Sequence, residues 1–366
     1  MALDELVSNV AEAGDEATKV EMAGWDIDRR LRRIQKIYIL HPGVRTAWQQ
    51  LESTWKYGMR LRETSTAYIT ATSRCGKTET VKQFVKEKTG RMIPNERVRS
   101  SVLVEGNGHR VLFLDCTNGA TPRQAAKSIL DTHFLPVPRI SETEASEKLI
   151  FHMGANKVDM FIIDEAQKMT KGGTGQGAED FANWLLTLEN SRKFRIVVTG
   201  GPALRELMNS HPTIRDRKDS FVHIAPFAHR TAADRDAFRT FLSEVDLRMP
   251  FIGTPLGDAR HDDAFFYATR GRPGMLSKLL EKATVAAFEV DEDVIPSVLQ
   301  VQDLARACEV LMREEDRMLG INPFSHSGPL PSIPRSLAEE TVHSRDLPPD
   351  VRTPKRRGSR ISKRPG

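Results

Sequence analysis

The chain has few cysteines, no long apolar run and no positively charged leader. Cys75, Cys116 and Cys308 are odd in number and widely spaced, so neither a disulfide framework nor a zinc site can be read from them. No apolar run approaches the ~18 residues that a membrane-spanning helix requires. The opening residues, MALDELVSNVAEAGDE, are acidic where a secretory signal carries positive charge. These absences lead to the expectation of a cytoplasmic chain that is neither secreted nor membrane-spanning. What is present is 366 residues, 39% hydrophobic and 28% charged, enough for one large α/β domain and a smaller companion.

The formal net charge of +5 is unevenly placed. Residues 351–366 carry seven Lys and Arg and no acid, and residues 323–350 sum to −2, which leaves residues 1–322 neutral. A basic isoelectric point therefore describes a tail and not a globular surface. From Pro323 onward the chain holds eight of its twenty prolines. That composition cannot bury enough apolar surface to offset ordering entropy, so residues 323–366 are expected to be a disordered tail. It is either simply solvated or an electrostatic arm for a nucleic acid or protein partner.

Four regions follow: an N-terminal extension over 1–36, basic at its end; an α/β domain over 37–229; a helical lid over 230–322; and the tail over 323–366. In the extension, Arg29-Arg30-Leu31-Arg32-Arg33-Ile34 reads as a helix with an apolar face and solvated arginines, or as a phosphate contact. Strands are expected at 67–70, 110–115, 160–164 and 194–199, alternating with helices at 78–88, 121–133, 141–153 and 178–189. The helix from Ser141 opens on a Ser-x-x-Glu capping box closed by Glu144. Such alternation predicts a parallel sheet covered by helices on both faces. Beyond Thr231 the strand signal stops and three or four helical segments follow.

The first strand runs into Ala71-Thr72-Ser73-Arg74-Cys75-Gly76-Lys77-Thr78 and then a helix. The Gly-Lys-Thr end matches a phosphate-binding P-loop, although Ala71 replaces the first glycine and Arg74 stands where another is common. In such a loop Thr72, Ser73, Arg74, Cys75, Gly76, Lys77, Thr78 and Glu79 surround the bound phosphates. Lys77 reaches the β and γ groups, and the Thr78 hydroxyl serves Mg2+. About ninety residues on, Met160-Phe161-Ile162-Ile163 is an apolar strand that ends in Asp164 and Glu165. Asp164 is the candidate magnesium ligand and Glu165 the candidate base for an attacking water. Thr199, at the end of the next strand, is placed to hydrogen-bond the γ-phosphate or that water. Arg217, preferred over Arg215, is a candidate finger on a neighbouring subunit's nucleotide. Arg272, competing with Arg270, is a candidate lid contact.

In this order the elements resemble an AAA+ ATPase, a P-loop α/β domain followed by a small helical lid. More narrowly they resemble the TniB/TnsC family of transposition regulators. The resemblance rests on YILHPGVRTAWQQ, ATSRCGKT, FIIDEAQKM, IVVTGGPAL and TRGRPGMLSKLL, and spans roughly residues 30–320. ExeA-type secretion ATPases share the Asp-Glu-Ala-Gln style of motif. The TniB/TnsC resemblance implies a bacterial ATPase that forms rings or helical filaments of itself on double-stranded DNA when ATP is bound. It further implies recruitment of a DDE transposase, cooperation with a target-selector protein, and disassembly on hydrolysis. The family's lid arginine falls on Gly274, which makes Arg272 its substitute. For DNA contact the candidates are Thr121, Arg123 and Lys127, or Lys168 and Lys171. Two other readings stay open: a nucleotide-binding scaffold with little hydrolysis, and a secretion or signalling ATPase without DNA.

Overall fold

The computed structural model describes residues 18–60, 66–94, 100–117, 119–138, 140–170, 175–210, 221–290, 294–314 and 321–330. Helices α1 (Ile27–Gln35) and α2 (Pro42–Tyr57) precede the sheet. The strands are β1 (Thr66–Ala71), β2 (Ser101–Gly106), β3 (His109–Asp115), β4 (Met160–Asp164), β5 (Arg195–Gly200) and β6 (Phe221–Ile224). Their spatial order is β2-β3-β4-β5-β1-β6. All neighbours are parallel except β2 and β3, which pair antiparallel.

The sheet is mostly parallel, as expected, and adds an antiparallel edge strand. The cause of that edge is local: Asn107 and Gly108 take φ of +50° and +76° and turn Gly106 back onto His109. An Asn-Gly pair supplies the two left-handed residues of a tight hairpin turn, a signal present in the sequence.

Alternate strand residues face opposite layers, as a pleated strand requires. Tyr68, Leu112, Phe161, Ile163, Ile196 and Val198 pack under α4 (Pro122–His133), α5 (Glu142–Ala155), α6 (Gly175–Ser191) and α7 (Pro202–Ser210). Ile69, Val111, Phe113, Met160, Ile162 and Val197 pack under α2 and α3, the latter spanning Lys77–Thr89. Reciprocal capping boxes start α4 at Thr121 with Gln124 and α5 at Ser141 with Glu144.

The helical region contains α8 (Ala232–Arg248), α9 (Asp262–Thr269), α10 (Pro273–Phe288) and α11 (Val301–Glu314). Its core also takes Ile34 from α1. The arginines of α1 are expected in solvent or on a phosphate, but Arg30 is fully buried between the Phe251 and Phe288 rings. It donates to the carbonyls of Trp25 (3.1 Å), Pro296 (2.6 Å) and Ala23. Burial lowers its pKa to about 10, still well above neutrality. Phe324, from the proline-rich segment, packs edge-on against Phe265 in the same core. Among the described residues no helix is long and apolar enough to cross a membrane.

Candidate nucleotide and hydrolysis site

The site forms where β1, β4 and β5 end side by side, at the carboxyl edge of a parallel sheet where ligands of such folds bind. Ala71 is the last residue of β1, pairs with Ile224 and packs into the core. Its methyl group therefore lies in the core and leaves the loop unobstructed. Arg74 takes φ of +66° and Gly76 φ of +89°. A left-handed residue other than glycine costs about 1–2 kcal/mol, so the fold imposes this turn on Arg74. Compensating contacts come from α10: Gly274 N–H donates to the Arg74 carbonyl at 2.8 Å, and an Arg74 Nη lies 3.1 Å from Met275 Sδ.

Lys77 begins α3 and lies buried between two acids. Its Nζ is 3.0 Å from Asp164 Oδ1 and bonds Glu165 Oε1 more closely. Thr78 Oγ1 donates to Asp164 Oδ2 at 2.8 Å. Thr199 donates to Asp164 Oδ1, which also accepts the Glu165 N–H at 2.9 Å. Burial alone would push the Lys77 ammonium down, but the charges of Asp164 and Glu165 outweigh it and hold the pKa above the ordinary lysine value. Burial likewise works against ionised Asp164, and Lys77 with the Thr199 and Thr78 hydroxyls overcomes it, so the carboxyl lies below its usual range. Both groups are therefore charged at neutral pH.

Five residues singled out in the sequence thus converge: Lys77, Thr78, Asp164, Glu165 and Thr199. Thr72 and Cys75 are buried in the loop, Ser73 and Arg74 are exposed, and Glu79 accepts from Gln83 Nε2 at 2.7 Å. Arg272 is buried immediately before α10. Arg217 and Lys171 lie outside the described residues. Of the candidate DNA contacts, the Thr121 hydroxyl caps α4, Lys127 pairs with Asp131, and Arg123 is exposed. Lys168 sits 3.6 Å from Asp115 and 3.9 Å from Glu165, so the structure brings it to the acids.

Sequence reading missed two features. A cavity of about 240 Å³ beside the loop is walled by Tyr38, Ile39, Gly76, Glu79, Gly274 and Ser277. Gln167 bridges the strand ends: its Nε2 donates to Glu165 Oε2 at 2.8 Å and its Oε1 accepts from Gly201 N–H at 3.1 Å. The Gly200-Gly201 pair was the available signal, because a Cβ on Gly200 would lie 2.4 Å from Gln167 Oε1.

Residues 60–208 match the AAA domain family. With the sheet order and loop described above, the fold is that of a P-loop AAA+ protein with a helical C-terminal region. No curated protein matches the chain. Among solved structures it is similar to Cdc6p from Pyrobaculum aerophilum (13% identity, TM-score 0.48), with 73% of this chain and 66% of that one covered. The ADP form of the Aeropyrum pernix ORC2 protein gives 15% identity and a TM-score of 0.49, covering 77% and 72%. A Walker-type ATPase of Pyrococcus abyssi gives 15% identity and 0.45, covering 77% and 73%. The chain spans just under two thirds of the length of the Cdc6 protein.

Proposed function

We propose that the chain is a magnesium-dependent AAA+ ATPase that regulates DNA transposition. It assembles with itself on double-stranded DNA in the ATP state, recruits or activates a DDE transposase, and disassembles on hydrolysis. The observation that carries the ATPase part is the junction of Lys77, Thr78, Asp164, Glu165 and Thr199 at three adjoining strand ends. The transposition part rests on the TniB/TnsC resemblance of the motifs.

The donor set suits Mg2+. A hydroxyl and a carboxylate, both hard oxygen donors, lie 2.8 Å apart beside a buried ammonium that already occupies a cationic position. Two protein oxygens are the usual complement when substrate phosphates supply the others. Thr78 and Asp164 would hold the ion, which neutralises charge on the phosphates of ATP. The chain's own residues do the remainder. Backbone N–H groups from Thr72 to Thr78 bind the phosphates at the start of α3. Lys77 exchanges its carboxylate partners for a phosphate oxygen, which frees Glu165 to accept a proton from water. Thr199 orients that water or the terminal phosphate. The cavity beside Tyr38 and Ser277 is the place for the base. Arg217 is the proposed finger from a neighbouring subunit, and Arg272 the proposed lid contact. Duplex DNA would meet Arg123, Lys127 and Lys171.

The test is phosphate release with and without duplex DNA, for wild type, Lys77→Ala and Glu165→Gln, together with negative-stain microscopy on DNA. The expected result is DNA-stimulated release lost in both variants, with assemblies on DNA in a non-hydrolysable ATP analogue but not in ADP. Glu165→Gln should remain on DNA with ATP. Hydrolysis that ignores DNA, with monomers in both nucleotides, would remove the DNA role; normal turnover by Glu165→Gln would remove the base assignment.

A further inference from the structure

We propose that Gln167 is a positioning residue through which the end of β5 sets the orientation of Glu165, on the ATPase reading given above. The two acids are tied to the same strand end by two routes. Asp164 is reached directly, by the Thr199 hydroxyl. Glu165 is reached indirectly: the Gly201 amide donates to Gln167 Oε1, and Gln167 Nε2 donates to Glu165 Oε2. The other oxygen, Oε1, is taken by Lys77.

The chemistry selects an amide at this position. Gln167 must accept from a backbone N–H at one end and donate to a carboxylate at the other. Either pairing alone fixes which atom is oxygen and which nitrogen, and here both agree. A glutamate of the same shape offers no donor to Glu165, and a methionine offers neither bond. The socket is built for close approach. Gln167 is buried, and a Cβ on Gly200 would meet its Oε1 at 2.4 Å and Leu204 Cδ2 at 2.8 Å. Glu165 itself has φ of +55°, so its backbone leaves the strand in a turn and the carboxylate direction depends on what holds it.

The consequence is a division of labour. Lys77 leaves Glu165 when a phosphate claims it, and Gln167 stays on Oε2, with the Lys168 ammonium 3.9 Å from the same oxygen. Glu165 then has one oxygen free toward water and one held from the strand that carries Thr199. A shift of Thr199 toward or away from a phosphate is thereby transmitted over two hydrogen bonds to the proton acceptor.

The test uses full-length Gln167→Glu and Gln167→Met, with Tm and the affinity of a fluorescent ADP analogue measured beside kcat and KM for ATP hydrolysis. Both variants are expected to bind the analogue and to keep KM within about threefold of wild type, and to lose at least tenfold in kcat at neutral pH. Wild-type kcat in both variants overturns the assignment while leaving the ATPase reading intact. So does a loss of nucleotide affinity or Tm in both variants that matches the loss of rate, since that is a structural role. Absence of hydrolysis in the wild type overturns the ATPase reading and this assignment together.

Discussion

Gly274 and Arg74 touch through their backbones. The Gly274 amide donates to the Arg74 carbonyl at 2.8 Å, and a Cβ on Gly274 would lie 2.9 Å from that oxygen and 3.1 Å from the Arg74 Cβ. Two departures from the expected pattern, a non-glycine in the P-loop and a glycine where a lid arginine was looked for, are thus two sides of one contact. The lid helix rests directly on the phosphate loop.

Replacing Gly274 with Ala should force the two backbones apart. The expected outcome is about 1–2 kcal/mol of lost stability, typical of overpacking at a close contact. Nucleotide affinity should also fall several-fold, because the loop's left-handed turn at Arg74 loses its support. Denaturant unfolding and titration with fluorescent ADP would measure the two effects; unchanged affinity would mean that the lid contact does not shape the loop.

Lys77→Met should remove phosphate binding and leave Asp164 buried without its cation. Breaking such a pair costs about 3–5 kcal/mol in general. Here the Thr78 and Thr199 hydroxyls remain, so about 2–4 kcal/mol is expected. The pH dependence changes sign. In the wild type Asp164 is held below its ordinary value of 3.8, so its contribution is present above that value and lost as pH falls through the lower folded value. In the variant, burial without the cation favours the protonated acid, so the stability deficit should shrink on acidification from neutral pH. Unfolding at pH 5 and pH 7.5 would show it; a deficit equal at both would mean that Asp164 is not the residue left unpaired.

His41 supplies a second acid-sensitive element. Its ring packs against Phe227 and Phe241, and burial pushes its pKa from 6.5 down to about 4, partly opposed by a hydrogen bond with the Cys75 backbone. A lowered histidine binds its proton more readily when unfolded. Stability is therefore complete above about pH 6.5 and declines as pH falls toward 4, by about 3 kcal/mol in all. His41→Gln should flatten that part of the stability profile. An unaltered slope between pH 6.5 and 4.5 would show that His41 is protonated without cost in the folded state.

How far the sequence could be read follows from what each signal depends on. The β1, β4 and β5 strands declare themselves as short apolar runs because both sheet faces are covered, and Gly-Lys-Thr and Asp-Glu sit at their ends by chain adjacency. The α5 start was equally plain, since a capping box is a four-residue feature. The edge strand β2 was not seen, because Ser101–Gly106 alternates weakly and only the Asn107-Gly108 turn marks it. Gln167 carries no signal in the sequence for a different reason: its proposed role exists only once Gly201, just past the end of β5, lies beside it. Arg30 was misread because four arginines in five residues look solvated, and only the tertiary core shows which one meets three carbonyls.

That arrangement has a temporal side. Arg30 and Pro296 are 266 positions apart in sequence. At roughly 5–20 residues per second of synthesis, the carbonyl would emerge on the order of 10–50 s after the guanidinium that binds it. Until residues 273–288 emerge, late in that interval, α1 has no α10 to bury Ile34 against, while the whole sheet is made in between. The nascent chain can complete its P-loop before it can complete its helical region, so for those seconds it is an α/β domain preceded by an amphipathic helix whose buried face has no partner.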